Sequence, residues 1–255
     1  MEKGYAVITG ASSGIGVEFA KRLAEEGYAL VLVARRRERL EQLANELNTE
    51  CMILTADLTD MSECQRIMQE LDSKDIEIFI NNAGFGYCGE VLDIKTKTEL
   101  DMIDLNVKAM HLLCKLVLTK MVDNNKGYIL NVASSAGLLP AGPYMSAYYA
   151  TKAYVTSFTR GVAEELRRKH SGVYVGCLCP GPVDTEFNKV ANVEFALKGI
   201  SAYECANYAI TQMFRKKITI VPAFKMKTLV VLARFLPTKL YIRIAAKQQR
   251  KKIYK

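Results

Sequence analysis

Tyr148 and Lys152 stand four residues apart in a stretch of helical periodicity, which puts both side chains on one helix face. A free phenol, with a pKa of about 10, is too weak an acid to exchange protons at neutral pH. A cation about 4 Å away, at an effective dielectric near 20, supplies on the order of 4 kcal/mol, enough to lower that pKa by up to about three units. The pair can therefore give a proton to an oxygen atom and take it back. Tyr149 is three residues from Lys152, and helical geometry alone admits it too. Taken alone, a tyrosine one turn from a lysine is also what packing beside a solvated charge looks like.

A second constellation concerns phosphate. In Thr9-Gly10-Ala11-Ser12-Ser13-Gly14-Ile15-Gly16 the glycines let the backbone turn tightly and approach a pyrophosphate, while the next helix aims its N-terminal N–H groups at the anion. The spacing G-x-x-x-G-x-G differs from G-x-G-x-x-G, and a glycine triplet by itself is only a tight strand-to-helix turn. Its position, after the first expected strand and at the start of the first expected helix, is where a dinucleotide fold needs it.

The elements that must hold these residues are legible as an alternation. Apolar strands are expected at Tyr5 to Ile8, Ala29 to Val33, Met52 to Leu54, Ile76 to Ile80, Tyr128 to Val132, Val173 to Leu178 and Ile218 to Val221. Helical periodicity follows the glycine turn and recurs over Arg37 to Leu47, Ser62 to Leu71, Leu100 to Val122 and Tyr148 to Lys169. Short, wholly apolar strands separated by helices predict a predominantly parallel sheet covered on both faces, a three-layer doubly wound α/β fold of the Rossmann type. Residues 1–221 form the expected dinucleotide-binding catalytic domain, and 222–255 a basic amphipathic C-terminal extension.

Thr9 to Gly16, Asp57 in Asp-Leu-Thr-Asp, Asn81 to Gly84, Asn106, Ser135, Tyr148 with Lys152, and Pro180-Gly181 together resemble the short-chain dehydrogenase/reductase family in order and spacing, over about residues 4 to 221. The resemblance implies a nicotinamide-dependent oxidoreductase in which Tyr148 transfers the proton and Lys152 assists it. Ser135, thirteen residues before Tyr148, would donate a hydrogen bond to the substrate oxygen, and Asn106 would help hold a proton-relay water. On the cofactor, Gly10, Ser12, Ser13, Gly14, Ile15 and Gly16 would cradle the pyrophosphate. Asp57 and Leu58 would flank the adenine, and Asn82, Ala83 and Gly84 would run along the adenosine side. Pro180, Gly181, Val183 and Thr185 would hold the carboxamide. At the end of the second strand, where an acid selects NAD, the chain reads Ala34-Arg35-Arg36, and a guanidinium there suits the 2′-phosphate of NADP. The expected cofactor is therefore NADP(H).

Composition sets further bounds. With 50% hydrophobic residues, 24% charged and a mean hydropathy of +0.03, the chain has ample material for a core. Seven cysteines without a C-x-x-C pair, a charged Met1-Glu2-Lys3 start and two isolated histidines point to a reduced, cytoplasmic setting with no metal site. The net charge of +8 arises from the end of the chain: thirteen Lys and Arg and no acid follow residue 214, leaving 22 basic against 27 acidic residues before it. That tail reads equally as a basic amphipathic element for an anionic membrane surface and as a helix packed on the body or on a second subunit. Nucleic acid is not an expected partner, since no nucleic-acid fold is present and aromatic residues are sparse among the charges. A homo-oligomer, dimer or tetramer, follows from the resemblance. Residues Glu186 to Gly199 lie where relatives carry a lid, and its apolar residues, including Phe187, Val190, Val193, Phe195 and Leu197, fit either a hydrophobic substrate or ordinary helix packing. The expected function is reduction of a lipophilic ketone or aldehyde, steroid-like or 3-oxoacyl, to an alcohol. An oxidising dehydrogenase, and a non-catalytic NADPH-sensing or membrane-surface protein, are the competing readings.

Overall fold

The computed structural model describes residues 3–191 and 199–250. Seven strands form one sheet: β1 (Tyr5–Thr9), β2 (Ala29–Ala34), β3 (Cys51–Thr55), β4 (Ile76–Asn81), β5 (Tyr128–Val132), β6 (Tyr174–Leu178) and, after a short parallel pair β7 (Val183–Asp184) and β8 (Ile200–Ser201), β9 (Thr219–Ile220). All pairings are parallel and the order is β3-β2-β1-β4-β5-β6-β9. This is the doubly wound architecture that the alternation predicts.

Side chains alternate between the two faces of each strand, and both faces are buried. Ala6, Ile8, Leu30, Leu32, Ile78 and Ile80 enter one core, whereas Val7, Val31, Val33 and Phe79 enter the other. The first core is closed by α1 (Ile15–Glu25), α2 (Arg37–Glu46) and α8 (Ala202–Phe214). The second is closed by α3 (Met61–Glu70), α5 (Met110–Asp123) and α6 (Ser146–Arg168). Helix starts are set by local chemistry. Asp60 caps α3 through the Ser62 amide at 2.8 Å, and Ser201 with Glu204 forms a reciprocal capping box on α8.

Strand order reverses between β2 and β4 on either side of β1, which opens a crevice at the carboxyl ends of these strands. The expected single helix from Leu100 to Val122 is instead α4 (Thr96–Ile103), a π-helical turn (Asp104–Ala109) and α5. Beyond the sheet lie α7 (Phe187–Val190), α9 (Phe224–Ala233) and α10 (Thr238–Arg250). Val193, Phe195 and Leu197 of the expected lid lie outside the described residues, as do the last five residues of the tail.

Candidate active site

The glycine turn leads from β1 into α1 with backbone that side chains would obstruct. Gly10 and Gly14 have φ of 68° and 57°, in the left-handed region, and a Cβ on Gly16 would lie 2.2 Å from the Gly10 carbonyl oxygen. Gly14 is the N-cap of α1 and offers no side chain to its free N–H groups, so the helix start is left to an external acceptor. Asn82 braces the turn. Its amide nitrogen donates to the Thr9 and Gly10 carbonyl oxygens at 3.0 and 3.2 Å, and the Asn82 and Ala83 backbone N–H groups both donate to Thr9 Oγ1 at 3.0 Å. Thr185 lies over the start of α1, 3.1 Å from where a Gly14 Cβ would stand.

At the end of β2 the three arginines divide. Arg36 donates to Ser12 Oγ at 3.2 Å and to Glu186 at 3.1 Å, and Arg39 also pairs with Glu186. The Arg35 side chain is 75% exposed, with Asp57 3.9 Å away. Asp57 itself accepts from the Thr59 amide and hydroxyl. Leu58 is buried in the second core, so its backbone is what it has left to offer a nucleotide. These residues fit a nicotinamide dinucleotide: a side-chain-free cradle, an uncapped helix start, and the Arg36 guanidinium beside the first serine of the turn.

Asn106, Tyr148 and Lys152 converge at the carboxyl ends of β4 and β5. Lys152, 5% exposed, donates from Nζ to the Val132 carbonyl oxygen at 2.8 Å and lies 5.9 Å from the Tyr148 ring centroid. The π turn swings Asn106 inward, where its amide accepts from Phe85 N–H at 3.1 Å and donates to Phe85 C=O at 2.8 Å and to Thr151 Oγ1 at 3.2 Å. Gly84 runs between Asn106 and Lys152: a Cβ there would stand 2.8 Å from Asn106 Oδ1 and 3.3 Å from Lys152 Nζ. Beneath them, buried Asn131 connects the layers, accepting from Asn81 and donating to Thr159 on α6.

Two observations bear on these expectations. The thirteen-residue interval points to Ser135, whereas the side chain whose hydrogen bonding lowers the Tyr148 phenol is that of Ser134. Ser134 caps the 3-10 turn Ser135–Leu138, whereas Ser135 sits inside that turn with its amide bonded to the Pro180 carbonyl at 2.7 Å. A turn that tight changes the facing of successive side chains within one residue. The second observation is electrostatic and concerns the protein without its cofactor. Burial pushes the Tyr148 phenol up to about 12 and the Ser134 hydrogen bond only partly opposes it, while burial pulls Lys152 down to about 8. With both groups removed from water, desolvation is the largest cause of each shift.

The Tyr148 ring belongs to an apolar cluster with Phe85, Tyr87, Met102, Met145, Tyr149 and Phe187. Phe187, from the expected lid, packs on Tyr148 with ring centroids 5.6 Å apart. The loop from Pro180 to Thr185 is held from both sides: Val183 pairs with Ile200, and Met226 of α9 closes on Gly181. Sequence reasoning missed the tail's part in this site. Gln249 of α10, 5% exposed, donates to the Tyr149 hydroxyl at 3.0 Å, so the tail folds back onto the helix that carries the tyrosine and lysine. Its Oε1 and Asn188 Oδ1 are the buried side-chain oxygens without a partner among the described residues.

The family profile described as short chain dehydrogenase matches residues 4–195, and the chain belongs to that family. It is 34% identical over 201 residues to a very-long-chain 3-oxoacyl-CoA reductase of Anas platyrhynchos, a match covering 75% of this chain and 63% of that one, so the chain spans less than two thirds of that relative. An uncharacterized oxidoreductase of Staphylococcus epidermidis is 34% identical over 213 residues, covering 81% of this chain and 90% of its own. Among solved structures, a short-chain dehydrogenase from Sphingobium yanoikuyae in complex with NADPH superposes with a TM-score of 0.81 at 31% identity, over 91% of this chain and 94% of that one.

Proposed function

We propose that the protein is an NADP(H)-dependent carbonyl reductase acting on a lipophilic ketone or aldehyde, steroid-like or 3-oxoacyl, with Tyr148 as proton donor. The observation that carries this reading is the convergence of Tyr148, its phenol lowered by Ser134, with buried Lys152 and Asn106 beside an apolar cluster. When bound, reduced nicotinamide supplies the hydride that the carbonyl carbon accepts. The carbonyl oxygen takes its proton from the Tyr148 hydroxyl, with Ser134 orienting that oxygen. Lys152, held by Val132, sets positive charge beside the phenolate left behind, and Asn106 anchors the path by which Tyr148 is reprotonated.

Arg35, exposed beside Asp57, and Arg36, beside Ser12, support a 2′-phosphate and hence NADP(H); the NADPH complex of the Sphingobium relative points the same way. The aromatic cluster around Tyr148 supports a lipophilic substrate, and the name of the Anas relative supports a 3-oxoacyl one. The test is NADPH oxidation over a panel of ketones, aldehydes and 3-oxoacyl thioesters, with Tyr148→Phe alongside. Turnover by the wild type, with a loss of at least about a thousandfold in a variant that still binds NADPH, supports the reading. Equal turnover by the two proteins refutes the role of Tyr148, and failure of the wild type to bind NADPH refutes the cofactor.

A further inference from the structure

The two tail helices bury one face and leave a second apolar face uncovered. On α9, Met226, Val230 and Ala233 recur at helical spacing and are buried, Met226 against Gly181. On α10, Ala245 and Gln249 are buried, Gln249 bonded to Tyr149. Turned away from the body are Phe224 and Phe235, each 82% exposed, with Leu229, Val231, Leu232, Leu240 and Ile244 between 45% and 60% exposed. So dense a run of exposed large apolar residues, all within 21 positions, is far beyond the scattered ones of an ordinary surface.

The charges around this ridge say what covers it. Lys225, Arg234, Lys239, Arg243 and Lys247 are interspersed with the apolar residues, none paired with a carboxylate among the described residues, and no acidic residue follows Glu204 in the sequence. Two such ridges meeting face to face would bring like charges together, whereas anionic headgroups complement them and acyl chains accept the phenylalanines. No helix among the described residues is long and apolar enough to cross a membrane, so the contact lies in the plane of the surface.

We propose that α9 and α10 form a docking surface for an anionic lipid bilayer, inserting Phe224 and Phe235 below the headgroups that Lys239, Arg243 and Lys247 engage. Because Met226 and Gln249 tie the same helices to Gly181 and Tyr149, docking seats the catalytic crevice at a fixed place on the membrane.

The test is co-sedimentation of the full chain with vesicles of phosphatidylcholine alone or mixed with phosphatidylglycerol, at low and high salt. Binding is expected to the mixed vesicles, to weaken with salt, and to fall at least about tenfold both in the double variant Phe224→Ser with Phe235→Ser and in Lys239→Gln with Arg243→Gln. NADPH binding, which none of these exposed residues serves, reports that each variant is folded. The proposal is overturned if the folded wild type stays in solution with phosphatidylglycerol vesicles at low salt, or if the phenylalanine variant sediments as well as wild type. It is equally overturned if the wild type is a dimer that the phenylalanine variant converts to a monomer without any change in vesicle binding, which would make the ridge a subunit interface.

Discussion

Replacing Lys152 with methionine should make the protein more stable and inactive at once. The ammonium is buried and its pKa is pulled from 10.5 to about 8 by desolvation. Because the folded value lies below the unfolded one, the unfolded chain holds more protons between pH 8 and 10.5, and stability rises with pH across that window. At pH 7 the shift of 2.5 units corresponds to a cost of about 3 kcal/mol carried by the native state, falling to about 1.4 kcal/mol at pH 9.5. Methionine fills much of the same space but gives up the hydrogen bond to Val132, a loss of about 1 kcal/mol. Urea unfolding without added nucleotide should therefore find Lys152→Met about 2 kcal/mol more stable than wild type at pH 7, and nearly equal to it at pH 9.5. Subtracting the two proteins removes every other titrating group from the comparison. A variant less stable than wild type at pH 7, or a stability difference that does not change with pH, would show that the lysine is not held at a cost and would refute this reasoning.

The two serines can be separated by parallel substitution: Ser134→Ala should lower kcat by about a hundredfold or more, since it removes the hydrogen bond at Tyr148, and Ser135→Ala should cost much less. Steady-state kinetics of both variants decide the matter, and the reverse order would return the role to Ser135. Arg35→Ala should weaken NADPH by about tenfold or more in a fluorescence titration while leaving NADH nearly unchanged; equal weakening of both nucleotides would remove Arg35 from 2′-phosphate recognition.

The fold was readable because the central strands β1, β2, β4, β5 and β6 are buried on both faces. A run such as Ala29 to Val33 needs no partner to identify it, and the structure extends it by one residue to Ala34. The edge strand was harder: Ile218 to Val221 is apolar, yet only Thr219–Ile220 pair with β6, and Ile218 is exposed. Within the site, the convergence of Tyr148 and Lys152 on one face was legible from spacing. The position of the serine was not, because an interval counts residues while the 3-10 turn decides which hydroxyl faces the tyrosine. The phenol's burial was not legible for a related reason: spacing brings a charge near, but only packing shows that water has been taken from both groups. The tail's charge was plain from composition, whereas its division into a face that grips Tyr149 and a face left bare depends on tertiary contacts that no local pattern encodes.

The π-helical turn at Asp104–Ala109 has a consequence for how the chain tolerates change. Such a turn is an α-helix carrying one residue in excess, and the excess is what rotates Asn106 toward Phe85 and Thr151. Deleting a single residue between Asp104 and Ala109 restores an uninterrupted helix from α4 through α5, a change that local propensity favours. The fold would gain regularity and the Asn106 amide would turn away from Thr151 and the Lys152 neighbourhood. Designed variants shortened by one position here should therefore keep the fold while losing the Asn106 contacts to Phe85 and Thr151, and an alignment that closes such a gap elsewhere would hide the loss.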